Sequence, residues 1–240
     1  MSHIDVVILC GGLGTRLQSE VPDLPKVLAP VQGKPFLEWL INFYYQQGHS
    51  RFILCAGYRS NQLIEYIKKS GYKNMDIKIS VEESPLGTGG AIWNAKSYIK
   101  SSEFMVVNGD TFCNVEVKKG ITLIEDKNAI MAMAMLKKDN ASRYGRLTVN
   151  ETNKIIAFEE KSKIKKSGFI NAGTYIMSKV LFTIYSPTKP SFSLENDVFP
   201  ILCQDKRGVY GVEIEPESFI DMGTKDSYKK ANTSFLFPSF

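Results

Sequence analysis

Four apolar runs in the first half of the chain, residues 6–10, 52–56, 77–81 and 104–107, alternate with helical spacing at 36–47, 61–69 and 88–100. This alternation constrains the fold more than any other feature. Strands separated by helices cannot be joined by hairpins; they pair through crossovers, giving βαβ units and a mostly parallel sheet. Ligands of such sheets gather beyond the carboxyl ends of the strands. Three polar clusters stand at those ends: residues 11–16, residues 82–90 and Asp110. Asn61 is placed to cap the second helix, and Gly48 and Ser70-Gly71 to end the first two. The second half reads differently. Strands are expected at 130–136, 169–177, 209–214 and 218–220, and a hairpin joins 146–149 to 155–159. Helices are expected at 179–185, 198–203 and 225–235.

The first strand, residues 3–10, runs into Gly11-Gly-Leu-Gly-Thr-Arg16-Leu17, and Pro25-Lys26-Val-Leu-Ala-Pro30 follows. Glycines let the backbone approach an anion closely and present N–H groups to it. Arg16 and Lys26 add the positive charge that a polyphosphate needs. Two familiar phosphate templates fail here. A dinucleotide loop wants GxGxxG; Gly12 and Gly14 fit, but the third position is Leu17. A Walker loop wants GK before Ser or Thr, and Gly33-Lys34 precedes Pro35.

With 240 residues, 43% hydrophobic and 23% charged, the chain can bury one sizeable core, and a single domain over 1–240 is expected. The net charge of +5 is spread along the sequence. The densest basic run, 161–166, is too short and too poor in aromatics to indicate nucleic acid. Cys10, Cys55, Cys113 and Cys203 form no CxxC pair and read as reduced thiols, Cys10 and Cys55 as buried ones. No leader pattern and no apolar stretch of about 18 residues occurs, so no membrane partner and a cytoplasmic location are expected. His3 and His49 fit no catalytic array and read as surface residues. The tail at 235–240 is apolar enough to dock on its own core or on another chain, so a homo-oligomer is left open.

GGLGTRL followed by PKVLAPVQGKP resembles the signature of the sugar-1-phosphate nucleotidylyltransferases, and the likeness continues along essentially the whole chain. The resemblance implies an α/β, Rossmann-like (GT-A-like) three-layer fold with a mixed central sheet, without a C-terminal β-helix domain. It implies joining of an NTP to a sugar 1-phosphate, with release of pyrophosphate, and small-molecule substrates as partners. Leu9, Gly11, Gly12, Gly14, Thr15, Glu82, Gly87 and Thr88 then form the nucleotide-binding set, with Arg16 and Lys26 catalytic. The segment Glu82-Glu-Ser-Pro-Leu-Gly-Thr is similar to that of members using guanosine nucleotides. Guanine offers N1–H and an N2 amine, two donors that one carboxylate accepts together; neutral pyrimidines offer no such pair.

Asp110 closes an apolar strand, where a carboxylate suits Mg²⁺, which takes one or two carboxylates plus phosphate oxygens. By resemblance the metal is shared with Asp221 in Phe219-Ile-Asp-Met-Gly. The resemblance also assigns Gly109, Gly145, Glu160, Lys161, Asn171 and Glu195 to the sugar phosphate. Ser162 stands where the family carries Pro after that Lys, and Asp197 reads equally as a cap for the helix at 198–203. No residue is needed to deprotonate the acceptor, because a phosphate monoester with a second pKa of about 6 is already largely a dianion near neutral pH. PLGTGGA and SLENDVFP are similar to members that guanylylate D-glycero-α-D-manno-heptose 1-phosphate for bacterial surface polysaccharide or S-layer glycans. Mannose-1-phosphate guanylylation, cytidylyl or uridylyl transfer, and a non-catalytic NDP-sugar-binding subunit remain the alternatives.

Overall fold

Val6 and Ile8 face one apolar layer and Val7 the other, and every central strand repeats this two-sided pattern. Strands buried on both faces need a cover on each side, which is the physical origin of a three-layer α/β arrangement. The computed structural model describes residues 4–12, 14, 17, 20–160 and 166–238. Among the described residues the strands are β1 (Asp5–Leu9), β2 (Pro30–Val31), β3 (Lys34–Pro35), β4 (Arg51–Ala56), β5 (Asp76–Val81), β6 (Glu103–Asn108), β7 (Thr111–Cys113), β8 (Met131–Lys138), β9 (Arg146–Val149), β10 (Lys154–Glu159), β11 (Gly168–Ser178), β12 (Val209–Glu213) and β13 (Phe219–Asp221). The α-helices are α1 (Phe36–Gln46), α2 (Ser60–Lys69), α3 (Gly87–Ala95), α4 (Val117–Lys127), α5 (Leu181–Ile184), α6 (Phe199–Gln204) and α7 (Lys225–Thr233).

Nine of the described strands form one sheet in the order β5-β4-β1-β6-β11-β8-β12-β10-β9. From β5 to β6 the pairing is parallel, as the alternation predicts, while β11 pairs antiparallel with both β6 and β8, so the sheet is mixed. The chain winds outward from β1 through β4 to β5, then returns to β6 on the other side of β1. The strand order therefore reverses between β1 and β6, and a crevice opens at their carboxyl ends. Gly109 donates its N–H to the Leu9 carbonyl at 3.0 Å across this crevice. A Cβ on Gly109 would overlap that carbonyl, so only glycine lets the two strand ends close up.

A small antiparallel ladder, β7 with β13, leaves the far end of β6 and sets Asp221 opposite Thr111. Met222 N–H donates to the Asp110 carbonyl at 2.8 Å, which locks this ladder to the end of β6. Phe112 anchors the ladder from below, with ring contacts to Phe43, Phe235 and Phe237 at 4.7, 5.8 and 5.2 Å. Phe235 and Phe237 of the tail thus dock on the chain's own core: Phe237 stacks on Trp39 at 4.5 Å, and the Gln32 amide donates to the Ala231 and Phe235 carbonyls.

Several expectations are corrected. Helix α2 begins at Ser60, preceded by Arg59 in the left-handed region (φ 56°), so Asn61 lies inside the helix and does not cap it. The helix expected at 88–100 ends at Ala95 and tightens into a 3₁₀ turn, Lys96–Tyr98. The segment 179–185 keeps only the four-residue α5, and α7 stops at Thr233. A π-helical turn, Leu194–Val198, precedes α6; Ser193 caps it, and Asp197 accepts the Ser193 N–H at 2.7 Å. The sequence pattern leaves 117–127 unassigned, because Gly120 and five charged residues dilute the Val117, Ile121 and Ile124 stripe that α4 buries. His49 is 5% exposed and belongs to the interior, not the surface. His3 lies outside the described residues.

Phe112→Ala removes a ring that is 2% exposed and shared by three aromatic neighbours. The expected loss is about 3–5 kcal/mol of unfolding free energy, read by denaturant titration.

Candidate active site

Two cavities meet at the β1/β6 switch point. The first, of ≈ 350 Å³, is lined by Leu9, Gly11, Gly12, Lys26, Glu82, Gly87 and Thr88 together with Asn108, Gly109 and Asp110. The second, of ≈ 310 Å³, holds Gly145, Glu160, Asn171, Glu195 and Asp221. Thr88, Asn108 and Asp110 line both. Residues scattered from 9 to 221 in sequence are thus brought to one place, as the strand-end argument predicts. Gly14 stands just beyond the first cavity, its Cα hydrogen directed at the Lys26 side chain. Thr15, Arg16 and Lys161 lie outside the described residues.

Lys26 sits on a 3₁₀ turn, Lys26–Leu28, whose Val27 and Leu28 are buried, so the turn is anchored and the ammonium is held in place. The ammonium forms a close ion pair with Asp110 Oδ2, and the Thr111 hydroxyl donates to Oδ1 at 3.2 Å. Asp221 is the second carboxylate. Burial and then the charge of Asp110 push its carboxyl above the ordinary aspartate value, against the Gly223 N–H, which donates to Oδ1 at 2.6 Å. Two carboxylates whose charges oppose each other are eased by cations, and Lys26 stands against Asp110 and Arg143 near Asp221. Among the described residues no cluster of three or more His, Cys, Asp or Glu side chains forms a ready metal cage. A carboxylate pair fits a hard divalent ion whose remaining ligands are phosphate oxygens and water.

Glu82 follows β5 and points back beneath the glycine turn. Its Oε2 accepts the Leu86 N–H at 3.0 Å, and burial raises its carboxyl above the ordinary glutamate value. The carboxylate is seated between two glycines. A Cβ on Gly57 would come within 2.9 Å of Glu82 Cδ, and one on Gly11 within 3.4 Å, with Oε1 closer still in both cases. Gly57 is a residue that the motifs do not reveal. Its signal is topological: it is the first residue past β4, at the same edge as Gly11.

The second cavity is mostly polar, with Ala172 and Phe219 among its lining residues. Glu195 Oε2 accepts from the Thr88 hydroxyl at 2.6 Å and from the Ser193 hydroxyl at 2.7 Å, tying the π-helical turn to α3. Asn171 sits where β11 breaks register with β8 between Asn171 and Tyr175, and this irregularity re-aims the segment at the cavity. Its carboxamide accepts the Gly173 N–H at 2.9 Å and donates to the Tyr175 hydroxyl at 2.8 Å, which fixes its orientation. The Gly145 carbonyl accepts the Asn171 N–H at 2.9 Å. Cys10 borders the first cavity, but burial pushes its thiol well above the ordinary range, so it offers no thiolate nucleophile.

A glycine-rich turn, a lysine and a carboxylate pair at a topological switch point suit handling of a nucleotide's phosphates. Comparison with known proteins decides the family: the pattern described as nucleotidyl transferase matches residues 5–236. The chain belongs to the nucleotidyl transferase family. A relative from Campylobacter jejuni, named D-glycero-alpha-D-manno-heptose 1-phosphate guanylyltransferase, is 36% identical over 94% of this chain and 97% of its own. One of the same name from Aneurinibacillus thermoaerophilus is 36% identical over 95% and 96%. The crystal structure of HddC from Yersinia pseudotuberculosis matches with a TM-score of 0.83 and 37% identity, covering 97% of this chain and 100% of that one. HddC has also been solved with GMP-PN, and that structure superposes with a TM-score of 0.81. The four cysteines of this nucleotidyl transferase are buried and free, and among its described residues no helix is long and apolar enough to cross a membrane.

The seat of Glu82 gives a double-mutant test. Gly57→Ala forces the carboxylate from its place and is expected to weaken binding of the preferred nucleoside triphosphate about 10-fold by calorimetry. In a Glu82→Ala background the same substitution should have little further effect, because the colliding group is gone.

Proposed function

We propose that this nucleotidyl transferase joins GTP to D-glycero-α-D-manno-heptose 1-phosphate, giving GDP-heptose and pyrophosphate. The observation that carries the reading is the meeting of two cavities at Asp110, with Lys26 paired to Asp110 in the first and the half-buried Glu82 carboxylate lining that same cavity. The names of the Campylobacter and Aneurinibacillus relatives support the choice of base and sugar.

GTP enters the first cavity with its base toward Glu82. The ionised carboxylate accepts N1–H and the N2 amine, and the Gly11–Glu82–Gly57 seat holds it there. The triphosphate runs along the N–H groups after β1, with Arg16 on the β- and γ-phosphates and Thr15 beside them. Lys26 lies over the α-phosphate, where negative charge grows as the bond to the acceptor oxygen forms. A positioned ammonium there stabilises the transition state without reorganisation. A divalent ion, proposed to be Mg²⁺ on Asp110 and Asp221, supplies charge neutralisation to the nucleotide phosphates when bound. The sugar sits against Glu160, Asn171 and Glu195, whose fixed acceptors and donors suit a polyhydroxylated ring. Gly145 lines the same cavity, Gly109 stands next to Asp110 in the first, and Lys161 is proposed to steer the sugar's phosphate.

The acceptor arrives as a dianion, so the reaction needs alignment rather than a general base. With Cys10 held as a thiol, the phosphate oxygen attacks the α-phosphorus directly. The cytoplasm is the proposed location.

A matrix of nucleoside triphosphates against sugar 1-phosphates, read by pyrophosphate release, tests the assignment. GTP with the heptose 1-phosphate is expected to give the highest kcat/KM, and Lys26→Ala to lower kcat roughly 10²–10³-fold. Wild-type turnover in Lys26→Ala, or best turnover with a pyrimidine nucleotide, overturns it.

A further inference from the structure

Charge is unevenly divided between the two cavities. The acceptor side is lined by Asp110, Glu160, Glu195 and Asp221, four carboxylates, yet it must receive a phosphate dianion. Among the described residues lining it, the basic side chain is Arg143, which the motif reading passes over in favour of the neighbouring Tyr144-Gly145. We propose that Arg143 binds the phosphate of the incoming sugar 1-phosphate, an inference that rests on the acceptor reading above.

Three features prepare it. First, its guanidinium is positioned but not saturated by protein. Nη2 donates to the Thr224 hydroxyl at 3.1 Å and lies 3.7 Å from Asp221 Oδ2, an ionic separation and not a hydrogen bond. The planar guanidinium carries five N–H donors, so most remain to form the paired contacts that a phosphate accepts. Second, its stem is fixed at both ends. The turn that carries it is held by Asn140, whose side chain accepts the Ser142 N–H at 3.2 Å, and the guanidinium lies 5.9 Å from the Tyr144 ring centre. Third, the side chain is 46% exposed, so an anion reaches it without paying for full desolvation of the cation.

The surroundings point the same way. The Lys138 ammonium lies 5.8 Å from the Tyr144 ring centre and 5.3 Å from that of Phe219, placing a second cation beside these two rings. Asp221 is the acidic partner here, and it faces Asp110 as well. In a cavity lined mainly by carboxylates, the Arg143 corner is where a dianion meets positive charge. Arg143 therefore anchors the acceptor beside Asp221, in the cavity that Asp110 also lines.

The test compares wild type with Arg143→Ala and Arg143→Lys, reading KM for each substrate separately and inhibition by inorganic phosphate. Arg143→Ala is expected to raise the KM for the sugar 1-phosphate about 10- to 100-fold, the range for lost hydrogen bonds to a charged group. The KM for GTP and the thermal midpoint should stay at their wild-type values. Inorganic phosphate should compete with the sugar 1-phosphate in wild type, lose that effect in Arg143→Ala and regain part of it in Arg143→Lys. An unchanged acceptor KM in Arg143→Ala overturns the proposal. So does a parallel rise in both KM values with a lowered thermal midpoint, which marks a structural role. Calorimetric binding of inorganic phosphate to wild type and Arg143→Ala needs no turnover. It therefore judges Arg143 even where no sugar 1-phosphate is turned over, the outcome that defeats the reaction reading alone.

Discussion

The whole site hangs on one close approach: the Gly109 N–H bonded to the Leu9 carbonyl where β1 and β6 part. That contact fixes how far the glycine turn after β1 stands from the carboxylate after β6. It exists because the sheet reverses its order there and because residue 109 carries no side chain to hold the strands apart. From it follow the Lys26–Asp110 pair, the shared border of the two cavities and the placement of the β7–β13 ladder that carries Asp221. A substitution that spread β1 from β6 would therefore separate the phosphate turn from the carboxylates while leaving each locally intact.

Much of this was legible before any coordinates. The two-sided burial of 6–8, 52–55 and 104–107 announces covered parallel strands, and the polar residues that follow them mark the ligand edge. Lys26, Glu82 and Asp110 are reachable from motifs near those edges, Glu195 and Asp221 through the family resemblance, and all line the cavities. Gly57 was not, because its role is to be small beside a glutamate 25 residues away in sequence, and nothing local records that distance. The irregularity of β11 and the π-helical turn escaped for a related reason: both arise from tertiary pairing, not from the pattern of the segment itself. Helix α4 was hidden by composition, since three buried side chains in eleven residues give a weak stripe until the sheet is there to meet them.

The electrostatic plan is one of division. Under the proposed reading, the nucleotide side offers Lys26 to the phosphates and the seated Glu82 carboxylate to the base. The acceptor side is rich in carboxylates and carboxamide, which suits hydroxyl groups but opposes a phosphate, so its cations must stand at the rim. Asp110 belongs to both halves and is held by Lys26, so the charge that joins the two substrates is set by one ion pair. Nothing in this plan calls for a protein nucleophile: the thiol at the cavity wall is kept protonated by burial, and its nearest titratable neighbour, Cys55, is buried too.

Direct transfer between two substrates held on either side of Asp110 is the account's central claim, and the stereochemical course at the α-phosphorus tests it most directly. With a nucleotide made chiral by one sulfur at that phosphorus, a single in-line displacement predicts inversion of configuration in the product. Retention would require two displacements through a nucleotidyl–protein intermediate and would contradict the account.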